Sequence, residues 1–422
     1  MRITWKGTRA MQIALIIFAF LAFFIPQPYA VPTIIYKLWK YARFFVSVGA
    51  VGLYLLRFHN RWPLRIIIVS VFYVWLFVVE PLITEHGQFL KMNLSVSIGF
   101  IFLLEYCFKR MDTKTVTRAF LFAGMLASLM HFITFILYAN VEGGMRHGEL
   151  MRVGEMVISN TNQNGYFLTY DNYSIVYFLP VATLLLIYAH NYMKSNYAVY
   201  WCYVGFILFM YFYKTAATAM VAMSLFVLIV LYYMIRYSEK ESKKLKLKIN
   251  YFTAVLSGVI VTIIAISVIG GGLATTIGEY FGKDGSFSGR DKIWSNSLKL
   301  IADSPLIGYG RESELVVWMK LGQTHCHNIV LELLYEGGII GFVLFGIMIY
   351  LFRPKQKDTF SALILSATVL CYLIVATFDW GIANPISMSV FYFSHYLTAK
   401  QSKLRAESVQ DILAYILRKR TC

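Results

Sequence analysis

Thr215 to Ile235 reads TAATAMVAMSLFVLIVLYYMI, with Lys214 before it and Arg236 after it. No residue in it is charged, and a helix of this length covers about 30 Å, the thickness of bilayer hydrocarbon. The pattern recurs on both sides. Of the 422 residues 58% are hydrophobic and 17% aromatic, while only 14% are charged, more apolar surface than a soluble domain of this size needs. Apolar segments run over 11–26, 42–57, 65–83, 92–108, 118–139, 166–189, 197–213, 215–235, 250–270, 329–352, 360–378 and 386–399. The expectation is an all-α, polytopic membrane protein with about twelve transmembrane helices and one membrane domain over 1–422. The first segment follows Arg2, Lys6 and Arg9, and Pro26-Gln-Pro28 stands where a small-x-small cleavage site would be, so it is expected to be retained.

The net charge of +17 suggests nucleic acid until its distribution is followed. The basic residues gather in alternate loops: Arg57/Arg61/Arg65, Lys109/Arg110/Lys114/Arg118, Arg236 to Lys248, Arg353/Lys355/Lys357 and the C-terminal end. That is the positive-inside pattern, with both termini cytoplasmic, and it argues against a nucleic-acid partner. Five cysteines without CxxC spacing give no disulfide framework or zinc site.

This topology puts two long segments outside, 140–165 and 271–328. At the other face, Val409, Ile412, Leu413 and Ile416 recur at helical spacing within 400–422. An amphipathic helix on the inner leaflet and a solvated tail fit that stretch equally.

The larger outer segment is the polar island of the chain. Ser288-Gly-Arg-Asp291 has the spacing of a capping box with Ser288 as N-cap, and Ile293, Trp294, Ser297, Leu298 and Ile301 follow on one helical face. Arg290 then stands in a first turn, where a guanidinium and free N–H groups suit a phosphate. The plainer reading pairs it with Asp291 or Glu312. His325-Cys-His-Asn328 precedes the segment at 329. A histidine there is a candidate general base, an interfacial marker or, with its neighbour, half of a metal site. Gly337-Gly-Ile-Ile-Gly341 reads as close helix packing. In the other outer segment Arg152 precedes Asn160-Thr-Asn-Gln-Asn164, and Asp171 is expected inside the following helix. Asp171 and His131 are then the deep ionisable residues. Lys214 either snorkels at a helix end or points into the same anion site as Arg290.

These motifs resemble the Wzy/WaaL family, the O-antigen and capsule polymerases and O-antigen ligases of bacteria. The resemblance is carried by Ser288-Gly-Arg-Asp-Lys-Ile-Trp294, Asp303-Ser-Pro-Leu-Ile-Gly-Tyr-Gly310, His327-Asn328 and Glu336-Gly-Gly-Ile-Ile-Gly341. Upstream, Arg152-Val-Gly with Asn162-Gln-Asn-Gly165 is similar to the family's Arg…Gly…Pro-Asn-x-x-Gly element, with Thr161 in place of proline. Tyr213-Lys-Thr-Ala216 resembles its Ser-Arg-Gly-Ala element, with Lys214 in place of arginine. Over the first 140 residues the likeness is in hydropathy only.

The resemblance implies a GT-C-like glycosyltransferase of the bacterial cytoplasmic membrane, with its active site on the extracytoplasmic face. Its donor would be an oligosaccharide on undecaprenyl diphosphate, transferred with inversion to a hydroxyl, with no metal or other cofactor. Arg290, Lys214, Arg152 and Arg311 would bind the diphosphate and His327 would be the base, with His325, Asn328, Asn162 and Asp171 as further candidates. A chain-length regulator protein is an expected partner. Polymerase is the favoured reading, with ligase as its nearest variant. A lipid-linked-sugar flippase is the remote one, since no repeated halves are visible.

Overall fold

The computed structural model describes residues 9–58, 62–79, 82–83, 91–145, 151–153, 156–158, 164–237, 248–270, 289–378 and 384–400. They form fourteen α-helices and one small hairpin. The helices are α1 (Arg9–Leu21), α2 (Thr33–Phe58), α3 (Leu64–Val74), α4 (Lys91–Arg110), α5 (Thr113–Tyr138), α6 (Ile175–Tyr192) and α7 (Ala198–Tyr213). They continue with α8 (Ala217–Arg236), α9 (Tyr251–Ala265), α10 (Arg290–Asp303), α11 (Glu314–Leu321), α12 (Ile329–Leu351), α13 (Phe360–Phe378) and α14 (Pro385–Tyr396). The strands β1 (Met151–Val153) and β2 (Met156–Ile158) pair antiparallel. Seven helices are long and apolar enough to cross a membrane, and α1, α3 with its widened last turn, and α7 are shorter apolar helices. The architecture is that of a multi-pass membrane protein. The surface agrees, because Phe45, Leu56, Ile235 and Phe252 are all more than two-thirds exposed, which suits lipid and not water.

Boundaries depart from the sequence expectation at two places. The helix α2 begins at Thr33, nine residues before the apolar segment at 42. The segment expected to be helical from 166 is a loop as far as Asp171, and Tyr166, Phe167, Leu168 and Thr169 are buried. The loop's backbone is satisfied from outside: Leu168 N–H donates to His131 Nδ1 (3.1 Å) and Phe167 N–H to Thr134 Oγ1 (3.1 Å). Gln27 meets the carbonyls of Phe167 and Leu168. His131 is thus a loop anchor, and Asp171 lies at the helix mouth, not inside the span.

Arg65 and Lys109, read above as loop charges, are buried instead. The Arg65 guanidinium grips Glu105 with two hydrogen bonds (2.7 and 3.0 Å), and Lys109 Nζ lies 3.3 Å from the same carboxylate. Tyr396 donates to it at 2.5 Å, and Lys109 donates to Tyr54. This knot ties α2, α3, α4 and α14 together at the end of the bundle opposite the polar island.

Candidate active site

At the island end, α10 starts at Arg290 with Gly289 as its N-cap, at φ +80° with no side-chain cap. This corrects the capping box, since the cap is one residue later than expected; Ser288 itself lies outside the described residues. Of the expected apolar face, Ile293, Trp294 and Ser297 are buried while Leu298 is 41% exposed. The helix ends before Ser304-Pro305, as read.

The next motif explains the glycines of α12. This helix is broken at Gly338 (φ +60°, ψ −165°), and residues 304–310 enter the break. The carbonyls of Tyr335 and Glu336 accept from Tyr309 N–H (2.7 Å) and Gly310 N–H (3.0 Å), while Ile339 and Ile340 donate to Pro305 and Leu306. A broken helix is tolerated at membrane depth only when protein satisfies its freed groups. The backbones approach so closely that a Cβ on Gly308 would lie 2.6 Å from Tyr335 O, and one on Gly338 would lie 2.2 Å from Leu306 O. The packing expectation holds for Gly337 and Gly341, which face Leu76 and Trp75. It fails for Gly338, which breaks the helix.

The mouth of α12 is held from three sides. Asn328 caps the helix through Oδ1, accepting from Val330 (2.9 Å) and Leu331 (3.1 Å), and its Nδ2 donates to Thr377 O (2.9 Å). Glu332 Oε2 accepts from Cys326 N–H (2.7 Å), and Trp294 Nε1 donates to Cys326 O (2.9 Å). Between these anchors His327 sits at φ +51°, a conformation that costs a non-glycine residue about 1–3 kcal/mol and persists only where its surroundings over-determine it. Its ring lies against His325, with centroids 3.9 Å apart.

The charges of both Arg290 and Arg311 reach His325, and that of Arg290 also reaches His327. Arg290 Nη2 donates to Phe378 O (3.0 Å). Arg311 Nε lies 3.7 Å from Glu336 Oε1, and its guanidinium stands over Phe77. Burial first, then the charges of Arg290 and Arg311, hold His325 down at about 4. Burial, His325 and Arg290 hold His327 at about 2. Both imidazoles are therefore neutral at pH 7. An anion placed among them would be attracted by the guanidinium charges, and would raise the proton affinity of both rings. Glu312 does not pair with Arg290, because it takes Lys320 Nζ (2.7 and 2.9 Å) and Tyr335 OH.

The remaining candidates form a second group. Lys214 is the C-cap of α7, and its ammonium donates to the Ala139 carbonyl. Its charge favours the Asp171 carboxylate, which also accepts from Asn164 Nδ2 (3.0 Å), yet burial outweighs both and lifts Asp171 to about 6. Lys214 acts on Asp171 through its charge alone, and the Ala139 carbonyl is what its ammonium touches. Arg152 stands on β1 opposite Val157, and β1 lies beside α11. Asn162 lies outside the described residues, as does the tail expected over 400–422 apart from Lys400. Among the described residues no three His, Cys, Asp or Glu side chains gather as a metal set. Sequence reasoning missed Glu332 and Trp294 as clamps on the histidine loop. Their only signal was position, an acid one turn inside α12 and a tryptophan one turn inside α10.

Residues 181–346 match the family described as O-antigen ligase. The matched segment holds Lys214, Arg290, Arg311, His325, His327 and Asn328, and runs from α6 through the break in α12. No curated protein matches the chain.

Proposed function

We propose that this chain, which carries the O-antigen ligase family domain over residues 181–346, is a glycosyltransferase that polymerises surface-polysaccharide repeat units. The donor glycan leaves undecaprenyl diphosphate and joins a sugar hydroxyl of another lipid-linked unit, with inversion. The observation that carries this reading is His327, held at positive φ beside His325 and Arg290. The hydroxyl oxygen attacks the anomeric carbon, its proton passes to His327, and the carbon–oxygen bond to the diphosphate breaks. Arg290, together with Arg311, stabilises the charge that develops on the leaving diphosphate. The arriving diphosphate itself makes His327 basic enough for its role, since nearby negative charge favours the imidazolium. Lys214 and Arg152 are the more distant cations of the donor site.

In this reading α1–α9 and α12–α14 are about twelve membrane crossings of a GT-C-like fold. The island faces outward from the bacterial cytoplasmic membrane, and the basic loops face inward. A chain-length regulator is the expected protein partner. The family's description as O-antigen ligase keeps open the second reading, transfer of finished glycan to lipid A core. One assay separates the two. Purified protein receives undecaprenyl-diphosphate-linked repeat units alone, in the presence of chelator. Ladders of lipid-linked glycan that vanish in His327→Ala establish the polymerase. Transfer only after a core acceptor is added makes it a ligase, and neither product from folded protein overturns the glycosyl-transfer reading.

A further inference from the structure

In the proposed topology a second polar cluster lies at the outer ends of α5, α6 and α7. The loop 164–171 is braced from within: Asp171 N–H donates to Asn164 O (3.3 Å), Asn164 Nδ2 to Asp171 Oδ2 (3.0 Å) and Tyr166 N–H to Thr169 O (3.0 Å). It is also pinned to the chain after α5, where Gly165 N–H donates to Gly143 O (3.1 Å) and Met145 N–H to Gly165 O (2.9 Å). Asp171 Oδ1 and Tyr166 OH are nevertheless buried with no hydrogen-bond partner among the described residues. Buried polar atoms are nearly always satisfied, so such exceptions need an explanation. The carboxylate charge acts on the phenol, yet the two groups do not bond each other.

The surroundings lead from the interior to the surface. The rings of Tyr166 and Tyr213 both pack edge-on against Phe135, with centroids 5.4 and 6.0 Å away. Tyr166 is wholly buried and Asp171 half-buried, whereas Tyr213 is 49% exposed and donates to the exposed Asn140 Oδ1 at 2.5 Å. The missing partner must give a hydrogen to the carboxylate oxygen and take one from the phenol. A hydroxyl does both with one oxygen, and a saccharide carries several on neighbouring carbons. A diphosphate would be repelled by the carboxylate, and a metal ion by Lys214, whose charge acts on Asp171. The fold gains nothing from this carboxylate. Burial outweighs Lys214 and lifts Asp171 to about 6, so its ionisation opposes folding at neutral pH. Stability given up at a braced position is characteristic of a residue kept for function.

We propose that Asp171 and Tyr166, braced by Asn164 and overlooked by Tyr213, form a saccharide-binding site that takes a hydroxyl of the lipid-linked repeat unit. The proposal rests on the glycosyl-transfer reading, in which saccharide arrives both on the donor and as the acceptor. The Arg290 group then holds the diphosphate, and the Asp171 group holds sugar.

The test sets binding against stability. The full chain in phosphatidylcholine nanodiscs is titrated calorimetrically with the lipid-free, phosphate-free oligosaccharide released by mild acid from the lipid-linked repeat unit. Wild type and Arg290→Ala bind it. Asp171→Asn weakens binding by about tenfold or more and Tyr166→Phe severalfold, while neither variant melts below wild type at pH 7.5. Sugar-free undecaprenyl diphosphate binds Asp171→Asn as it binds wild type. No binding by wild type, or equal binding by wild type and both variants, overturns the proposal. So does a lowered melting temperature in both variants, which would make the pair structural. Added to the glycan assay, the oligosaccharide identifies the source of the sugar: extension of the oligosaccharide itself assigns the site to the acceptor, and inhibition without extension assigns it to the donor. Asp171-dependent binding in a protein that makes neither polymer nor ligated product would sink the glycosyl-transfer reading and leave the saccharide site standing.

Discussion

The two ends of the bundle handle buried charge in opposite ways. At one end Glu105 sits between Arg65 and Lys109 and also takes the Tyr396 hydroxyl. Its charges answer one another, and the cluster joins four helices. At the other end the Arg290 guanidinium is held by a neutral carbonyl and acts on two imidazoles that burial keeps unprotonated. A knot of mutually compensating charges is a fastening. Under the proposed function, Arg290 beside two neutral rings in a strained loop serves instead to receive negative charge.

The contrast is broken most directly by removing one member at each end. Arg290→Ala should lower kcat by roughly 10²–10³ and His327→Ala by roughly 10²–10⁴, both with a melting temperature close to wild type. Glu105→Ala should instead unfold or mislocalise the protein, because leaving two buried cations unpaired costs about 3–5 kcal/mol. Thermal unfolding in detergent beside the glycan assay reads both, and an inactive but fully stable Glu105→Ala would end the distinction.

Gly338→Ala is the next largest effect. It forces a Cβ into the Leu306 carbonyl at a positive φ and should cost more than about 3 kcal/mol. Gly346→Ala, in open space on the same helix, should be close to neutral. Equal melting temperatures for the two variants would show that the break in α12 is not under constraint.

A pH series sharpens the electrostatic half of the comparison. Burial lowers His325 and His327 below the ordinary histidine value, so their contribution to stability is complete above about pH 6.5 and declines as pH falls toward 4. In activity, kcat/KM reports the free enzyme and should not fall with His327 between pH 7 and 5. The rate kcat reports the complex, in which the diphosphate raises the imidazole, and should fall at a higher apparent pKa. Coincident profiles would mean that the diphosphate does not act on His327.

The smallest effect concerns Asp171. Its folded pKa is raised to about 6, so its ionisation opposes folding increasingly as pH rises through that value. Asp171→Asn should therefore raise the melting temperature at pH 7.5 by about 2 °C, and by nothing at pH 4. A loss of stability at pH 7.5 would mean that attraction to Lys214 outweighs burial at this carboxylate.

Much of this was legible because bilayer and helix impose periods on sequence. The apolar runs located the long helices, Ser304-Pro305 ended α10, and His-Cys-His-Asn fell at the mouth of α12. What escaped was tertiary. A buried loop at 166–169 looks like helix because its residues are equally apolar, and only the partners at Gln27, His131 and Thr134 reveal it. Arg65 and Lys109 looked like loop charges because Glu105 lies some forty residues from the first of them. The glycines of α12 had two readings, packing and breaking, and each proved true of different members of the motif.

The clasp between residues 304–310 and the break in α12 also has a consequence for biogenesis. Synthesis runs from the amino terminus, so the loop leaves the ribosome before the helix it completes. The later half of α12, from Ile339 onward, enters the bilayer with its first N–H groups open until Pro305 and Leu306 reach them. Assembly of this region is therefore a rendezvous, in which the polar island must wait for its helix. The histidine loop can acquire its final shape only after the two have met.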